Sequence, residues 1–131
     1  MRLVVDASVA VEFLLRTRVG LHVAGTLDSA RLLAPELLDA EVLAVLRRET
    51  LAGRLTVARA SEALVDLRDW QVARVSHRLL LEEAWKVRNN VSGYDAFYIA
   101  AARRYSAAVI TADGPLARAS ALGVVVQNVR G

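Results

Sequence analysis

Four carboxylates occupy positions from which an acid could do chemistry: Asp6, Glu41, Asp95 and Asp113. Asp6 directly follows the apolar run Leu3-Val4-Val5 and lies two residues before Ser8. An acid there serves as a turn or helix-cap residue, or as a carboxylate held rigidly at a strand end beside a hydroxyl. Glu41 is the least ordinary of the four. Its helical neighbours are Leu37, Leu38, Ala44 and Val45, so it projects from an apolar face, whereas Asp39 and Arg47 account for the solvated side. An ionised carboxylate facing a core is costly unless it is paired, here with one of the many arginines, or binds a metal; otherwise the helix face must be wetter than its pattern implies. Asp95 closes Ser92-Gly93-Tyr94-Asp95, which fits a capping box, and leads into the apolar and small residues Ala96 to Ala102. Asp113, in Thr111-Ala112-Asp113-Gly114-Pro115, is a natural cap at a strand-to-helix turn, with the Thr111 hydroxyl on the same side.

Each acid has a structural explanation when taken alone. Together they are harder to dismiss, because three fall at helix starts and the fourth interrupts an apolar helix face. Such a cluster repels itself and raises its own carboxyl pKa values unless a divalent cation neutralises it. There is no cysteine, and the two histidines, His22 and His77, stand far apart. Oxygen-only donors favour Mg2+ or Mn2+ over zinc, and the same absences argue against thiol catalysis, a disulfide scaffold and a Ser-His-Asp triad.

The elements that must position these acids alternate between short apolar strands and helices. Strands are expected at Leu3–Val5, Leu32–Ala34, Trp70–Ala73, Val109–Thr111 and Val124–Val126. Helices are expected at Val9–Arg16 after Ser8, Gly20–Ser29, Glu36–Leu51 with Pro35 in its first turn, Val57–Leu67, Arg78–Arg88, Ser92–Tyr105 and Pro115–Ala121. This alternation predicts βαβ units and an α/β fold of three layers, a central parallel sheet with helices on both faces. Sites in such sheets lie beyond the carboxyl ends of the strands, where Asp6 and Asp113 fall.

At 131 residues, with 55% hydrophobic residues, the chain suits one compact domain spanning residues 1–131. Asp6 and Glu12 break the opening apolar run, which therefore does not read as a signal peptide, and no segment reaches the roughly 18 apolar residues of a spanning helix. A soluble, cytoplasmic protein without membrane association is expected. Lys86 is the only lysine among 17 cationic side chains, and the net charge is +3. The arginine fork suits phosphate, which raises the odds of a nucleic-acid partner slightly.

Val4-Val5-Asp6-Ala7-Ser8, Glu41 on the helix after Pro35, Tyr94-Asp95-Ala96 with its alanine-rich helix, and Thr111-Ala112-Asp113 occur in an order and spacing that resembles PIN domains. The likeness is greatest to the VapC toxins of bacterial toxin–antitoxin systems and covers essentially the whole chain. The resemblance implies a five-stranded PIN-like sheet, Mg2+- or Mn2+-dependent endoribonuclease activity, a homodimer, and inhibition by a VapB-type antitoxin in a type II module. By motif match it makes Asp6, Glu41, Asp95 and Asp113 the catalytic, metal-binding acids, with Ser8 and Thr111 as supporting hydroxyls. The chain departs from many relatives in carrying Gly114-Pro115-Leu116 where a further acid follows the position of Asp113, which favours one metal over two. The stretch Arg54 to Trp70 is expected to serve the dimer or the antitoxin groove. The rival reading is a non-catalytic, metal-binding α/β signalling or interaction domain. Asp6-Ala7-Ser8 fits neither the adjacent acids of a phospho-acceptor receiver nor the Asp-x-Asp opening of a phosphatase.

Overall fold

The computed structural model describes residues 1–118 and 122–130. Five strands, β1 (Arg2–Val5), β2 (Arg31–Pro35), β3 (Val72–Val75), β4 (Ala108–Thr111) and β5 (Val126–Asn128), form one parallel sheet in the order β3-β2-β1-β4-β5. The connecting helices are α1 (Ala7–Leu14), α2 (Arg18–Ser29), α3 (Leu37–Leu51), α4 (Val57–Asp69), α5 (His77–Lys86), α6 (Gly93–Tyr105) and α7 (Gly114–Ala117).

Strand side chains alternate between two separate cores. Leu3, Val5, Leu32, Ala34 and Ile110 pack with Val9, Leu27, Leu38, Val42 and Leu46 on one face. Val4, Leu33 and Val109 pack with Leu80, Ala96, Ile99 and Ala100 on the other. Burial on both faces is why these strands read as unbroken apolar runs rather than alternating ones. Small residues on α6 let its backbone lie close against β1, β2 and β4. Gly20 does the same between α1 and α2, since a Cβ there would come within 2.0 Å of the Glu12 carbonyl oxygen.

The chain lays β2 and β3 on one side of β1, then crosses to place β4 and β5 on the other. The order of connection reverses between β1 and β4, which opens a crevice at their carboxyl ends. Val5 is in register with Ile110, and the Asp6 amide donates to the Ile110 carbonyl at 3.3 Å, so Asp6 and the residues after Thr111 emerge side by side.

Several boundaries differ from expectation. β3 lies at Val72–Val75 rather than Trp70–Ala73, because Trp70 ends α4 and stacks on Phe13 with ring centroids 4.8 Å apart. Arg74 then anchors the strand, bonding Asp39 at 2.8 Å and the Leu67 and Val72 carbonyls at 2.8 and 2.9 Å. Pro35 belongs to β2 rather than to the first turn of α3. The last strand is Val126–Asn128, not Val124–Val126: Val124 is instead buried in the core after the turn at Gly123. The first two helices begin at Ala7 and Arg18 because Asp6 and Thr17, rather than Ser8, cap them. Of the helix expected at Pro115–Ala121, α7 accounts for the start, and residues 119–121 lie outside the described residues.

Candidate functional site

Asp6 caps α1 through Oδ1, which accepts the Val9 amide at 3.1 Å, but a cap alone does not explain its surroundings. The same oxygen accepts the Ser8 hydroxyl at 2.7 Å, and Oδ2 accepts the Thr111 hydroxyl. Those hydroxyls are themselves fixed from β4, since the Ala112 amide donates to Ser8 Oγ at 2.9 Å and the Asp113 amide to Thr111 Oγ1 at 2.8 Å. Each hydroxyl thus accepts from a backbone amide and spends its single proton on Asp6. The 3.4 Å approach of Ser8 Oγ to Thr111 Oγ1 then carries no proton. Oδ1 is saturated by two donors, and Oδ2 keeps one lone pair for a further ligand. Asp6 is only 4% exposed, and burial pushes its pKa up to about 6. The Thr111, Ser8 and Val9 donors pull it down, while the charge of Asp113 adds to the rise.

Glu41 lies half-buried on α3, beside rather than on the Leu38-Val42-Leu46 stripe that enters the core. Its partner is not an arginine. The Tyr98 hydroxyl, on α6, donates to Oε1 at 2.6 Å. Burial raises the Glu41 pKa, the Tyr98 bond lowers it, and Asp95 and Asp113 raise it again. Tyr98 is 1% exposed, and burial together with Glu41 holds its phenol protonated as a donor. Composition and motif spacing passed over this residue. The available signal was its place three residues after Asp95, as a polar-tipped side chain in the otherwise apolar run Ala96 to Ala102.

Asp95 stands in the first turn of α6, where Ser92 Oγ accepts its amide at 3.2 Å. Its pKa is raised by burial and then by Asp113, with Ser92 opposing. Asp113 caps α7, accepting the Leu116 amide on Oδ2 at 2.9 Å. Asp113 therefore acts electrostatically on all three other acids, and it is the common neighbour of the set.

Among the described residues none of the four acids takes part in a salt bridge, although arginines pair with acids elsewhere on the surface. As the side chains stand, no three His, Asp or Glu groups among the described residues are close enough to form a ready-made metal cage. The site is thus a crevice of mutually repelling carboxylates, one rigidly held by hydroxyls and one held by a buried tyrosine, with no cationic side chain bonded to them.

The chain matches the PIN domain family over residues 3–122. It is 40% identical to ribonuclease VapC3 of Mycobacterium tuberculosis over 119 residues, 90% of this chain and 87% of that protein. It is 36% identical to ribonuclease VapC1 of the same organism, covering 97% of both chains. The crystal structure of PAE2754 from Pyrobaculum aerophilum superposes with a TM-score of 0.68 at 24% identity, over 96% of this chain and 83% of that one. M. tuberculosis VapC20, described as a sarcin–ricin loop cleaving toxin, superposes with a TM-score of 0.64 at 20% identity, over 94% and 96%. With the five-stranded parallel sheet and this degree of identity over most of its length, the chain belongs to the PIN-domain family and, within it, to the VapC ribonucleases.

Proposed function

We propose that the chain works as one nuclease unit, a Mg2+- or Mn2+-dependent endoribonuclease that serves as the toxin of a type II toxin–antitoxin module. The observation that carries the metal requirement is the set of four carboxylates in which Asp113 raises the pKa of Asp6, Glu41 and Asp95, with no salt bridge to any of the four among the described residues. A hard divalent cation suits oxygen-only donors, and Mg2+ is commonly held by one or two carboxylates while keeping several of its waters. A site whose acids are neighbours without touching is compatible with such a hydrated ion.

On this reading Asp6, Asp95 and Asp113 hold the cation directly or through water, and Glu41 joins them or orients the attacking water. When bound, the cation supplies Lewis acidity toward water and charge neutralisation at phosphorus. Ser8 and Thr111 orient Asp6 by donating to both its oxygens, which aims the remaining Oδ2 lone pair. Tyr98 fixes Oε1 of Glu41 and leaves Oε2 for the site. The relatives named as ribonucleases favour this reading over a non-catalytic binding domain.

The partners we assign are RNA, a VapB-type antitoxin and a second copy of the chain. Exposed Leu43, Leu51 and Val57 line a groove between α3 and α4, which supports an apolar protein partner there. No helix among the described residues is long and apolar enough to cross a membrane.

The test is incubation of antitoxin-free protein with total RNA in Mg2+, Mn2+ or EDTA, alongside Asp6→Asn and Asp95→Asn. Metal-dependent cleavage lost in both variants is expected. Cleavage that survives EDTA and both substitutions would overturn the assignment. Growth arrest on expression, relieved by a co-expressed antitoxin, tests the toxin role separately.

A further inference from the structure

One cavity outside the acid cluster opens onto it. Asp95 shares a space of about 500 Å³ with Arg88, Asn89, Asn90 and Arg118. That size lies within the range of about 300–1,000 Å³ usual for ligand sites. We infer that this cavity is a nucleotide subsite: it takes the RNA residue next to the scissile phosphate, with Arg88 and Arg118 on the backbone phosphate and the Asn89 and Asn90 amides on the base edge. The inference rests on the nuclease reading and adds to it the residues that grip and select the strand.

Among the described residues, availability separates these two arginines from the seven that pair with acids. Arg54, Arg59, Arg74 and Arg130 are tied to acids, whereas among the described residues neither Arg88 nor Arg118 enters a salt bridge. Arg88 is also pre-set. Its guanidinium lies over the Trp85 ring at 4.7 Å, and Nη1 donates to the Trp85 carbonyl at 3.0 Å. A fork held in this way loses little freedom on meeting a phosphate.

The two asparagines are exposed, in the segment joining α5 to α6. That segment is wound rather than extended, since the Asn90 and Val91 amides both donate to the Val87 carbonyl, at 2.9 and 3.3 Å. Each asparagine amide offers a donor and an acceptor, which is what the edge of an unpaired base requires. Pro115 and Leu122 add an apolar wall against which a base can lie. The chemistry of the cavity is therefore cationic at two points, neutral and hydrogen-bonding at two more, and adjacent to a catalytic acid, as a nucleotide beside the cleaved bond demands.

The experiment measures kcat/KM for short single-stranded RNAs at fixed Mn2+ across a KCl series, using RNAs that differ in the base on either side of the cut mapped for the wild-type protein. The variants are Arg88→Gln with Arg118→Gln, and Asn89→Ala with Asn90→Ala; all four side chains are exposed, so melting temperature should be unchanged. The arginine pair is expected to flatten the dependence of log(kcat/KM) on log salt by about 0.7 per lost phosphate contact. The asparagine pair is expected to leave that slope alone and to reduce the preference among bases by about tenfold. If the wild type cleaves RNA and the variants keep both slope and base preference, the subsite is refuted while the nuclease reading stands. If the wild type cleaves no RNA in Mn2+, both fall together.

Discussion

Asp6→Asn should make the metal-free protein more stable at neutral pH even as it removes activity. Asp6 is almost wholly buried, with a folded pKa of about 6 against an ordinary 3.8. The folded chain therefore takes up the Asp6 proton more readily than the unfolded chain does. This group's contribution to stability is fully present below about pH 4 and is lost as the pH rises through about 6. At 1.36 kcal/mol per pKa unit the ionised carboxylate costs about 3 kcal/mol at pH 7. Asparagine keeps an oxygen to accept from Ser8 and Val9, and its amide group faces the Thr111 hydroxyl, so most bonds have a replacement. The net gain should be about 2–3 kcal/mol at pH 7 in EDTA, and near zero at pH 4. Urea unfolding of both proteins at the two pH values reads this directly. Mn2+ should then stabilise the wild type by much more than the variant. Destabilisation of the metal-free protein by Asp6→Asn at pH 7 would refute the claim that this carboxylate is held against its own desolvation.

Three further outcomes follow from individual contacts. Tyr98→Phe deletes the hydroxyl bonded to Glu41 while keeping the ring, and outer partners of this kind are worth about 10- to 100-fold; Mn2+ affinity or kcat should fall by that factor, and unchanged values for both would remove Tyr98 from the site. Asp113→Asn should lower the carboxyl pKa values of Asp6, Glu41 and Asp95 in the metal-free protein, as read by 13C NMR titration; unchanged values would mean that Asp113 is not their common neighbour. Gly20→Ala places a methyl 2.0 Å from the Glu12 carbonyl oxygen and should cost about 3 kcal/mol or more in urea unfolding, with RNA cleavage retained by the folded fraction; a neutral effect would show that α1 and α2 separate easily.

The sequence was most legible where an element is buried on both sides. The continuous runs Leu3-Val4-Val5 and Val109-Ile110 read as interior parallel strands, placing the acids after them at the carboxyl edge of the sheet, where the structure has them. Legibility failed where an apolar residue serves something other than its local element. Trp70 looks like strand but stacks on Phe13, and Val124 looks like strand but plugs the core before β5 begins. Helix starts were misplaced when the cap was the catalytic candidate itself, as at Asp6. Glu41 was legible as an anomaly on an apolar face, yet its partner was not. The contact with Tyr98 spans 57 residues and depends on how α3 and α6 meet, which no local pattern encodes. The same holds for the hydroxyl pair: Ser8 and Thr111 lie 103 residues apart, and only the pairing of β1 with β4 brings them to one carboxylate.

Diffraction at the manganese absorption edge from a crystal soaked in Mn2+ tests the proposed metal centre most directly. A single anomalous peak among Asp6, Glu41, Asp95 and Asp113, absent after Asp6→Asn, is the predicted result. A map with no peak in that crevice, in a crystal whose protein still cleaves RNA, would contradict it.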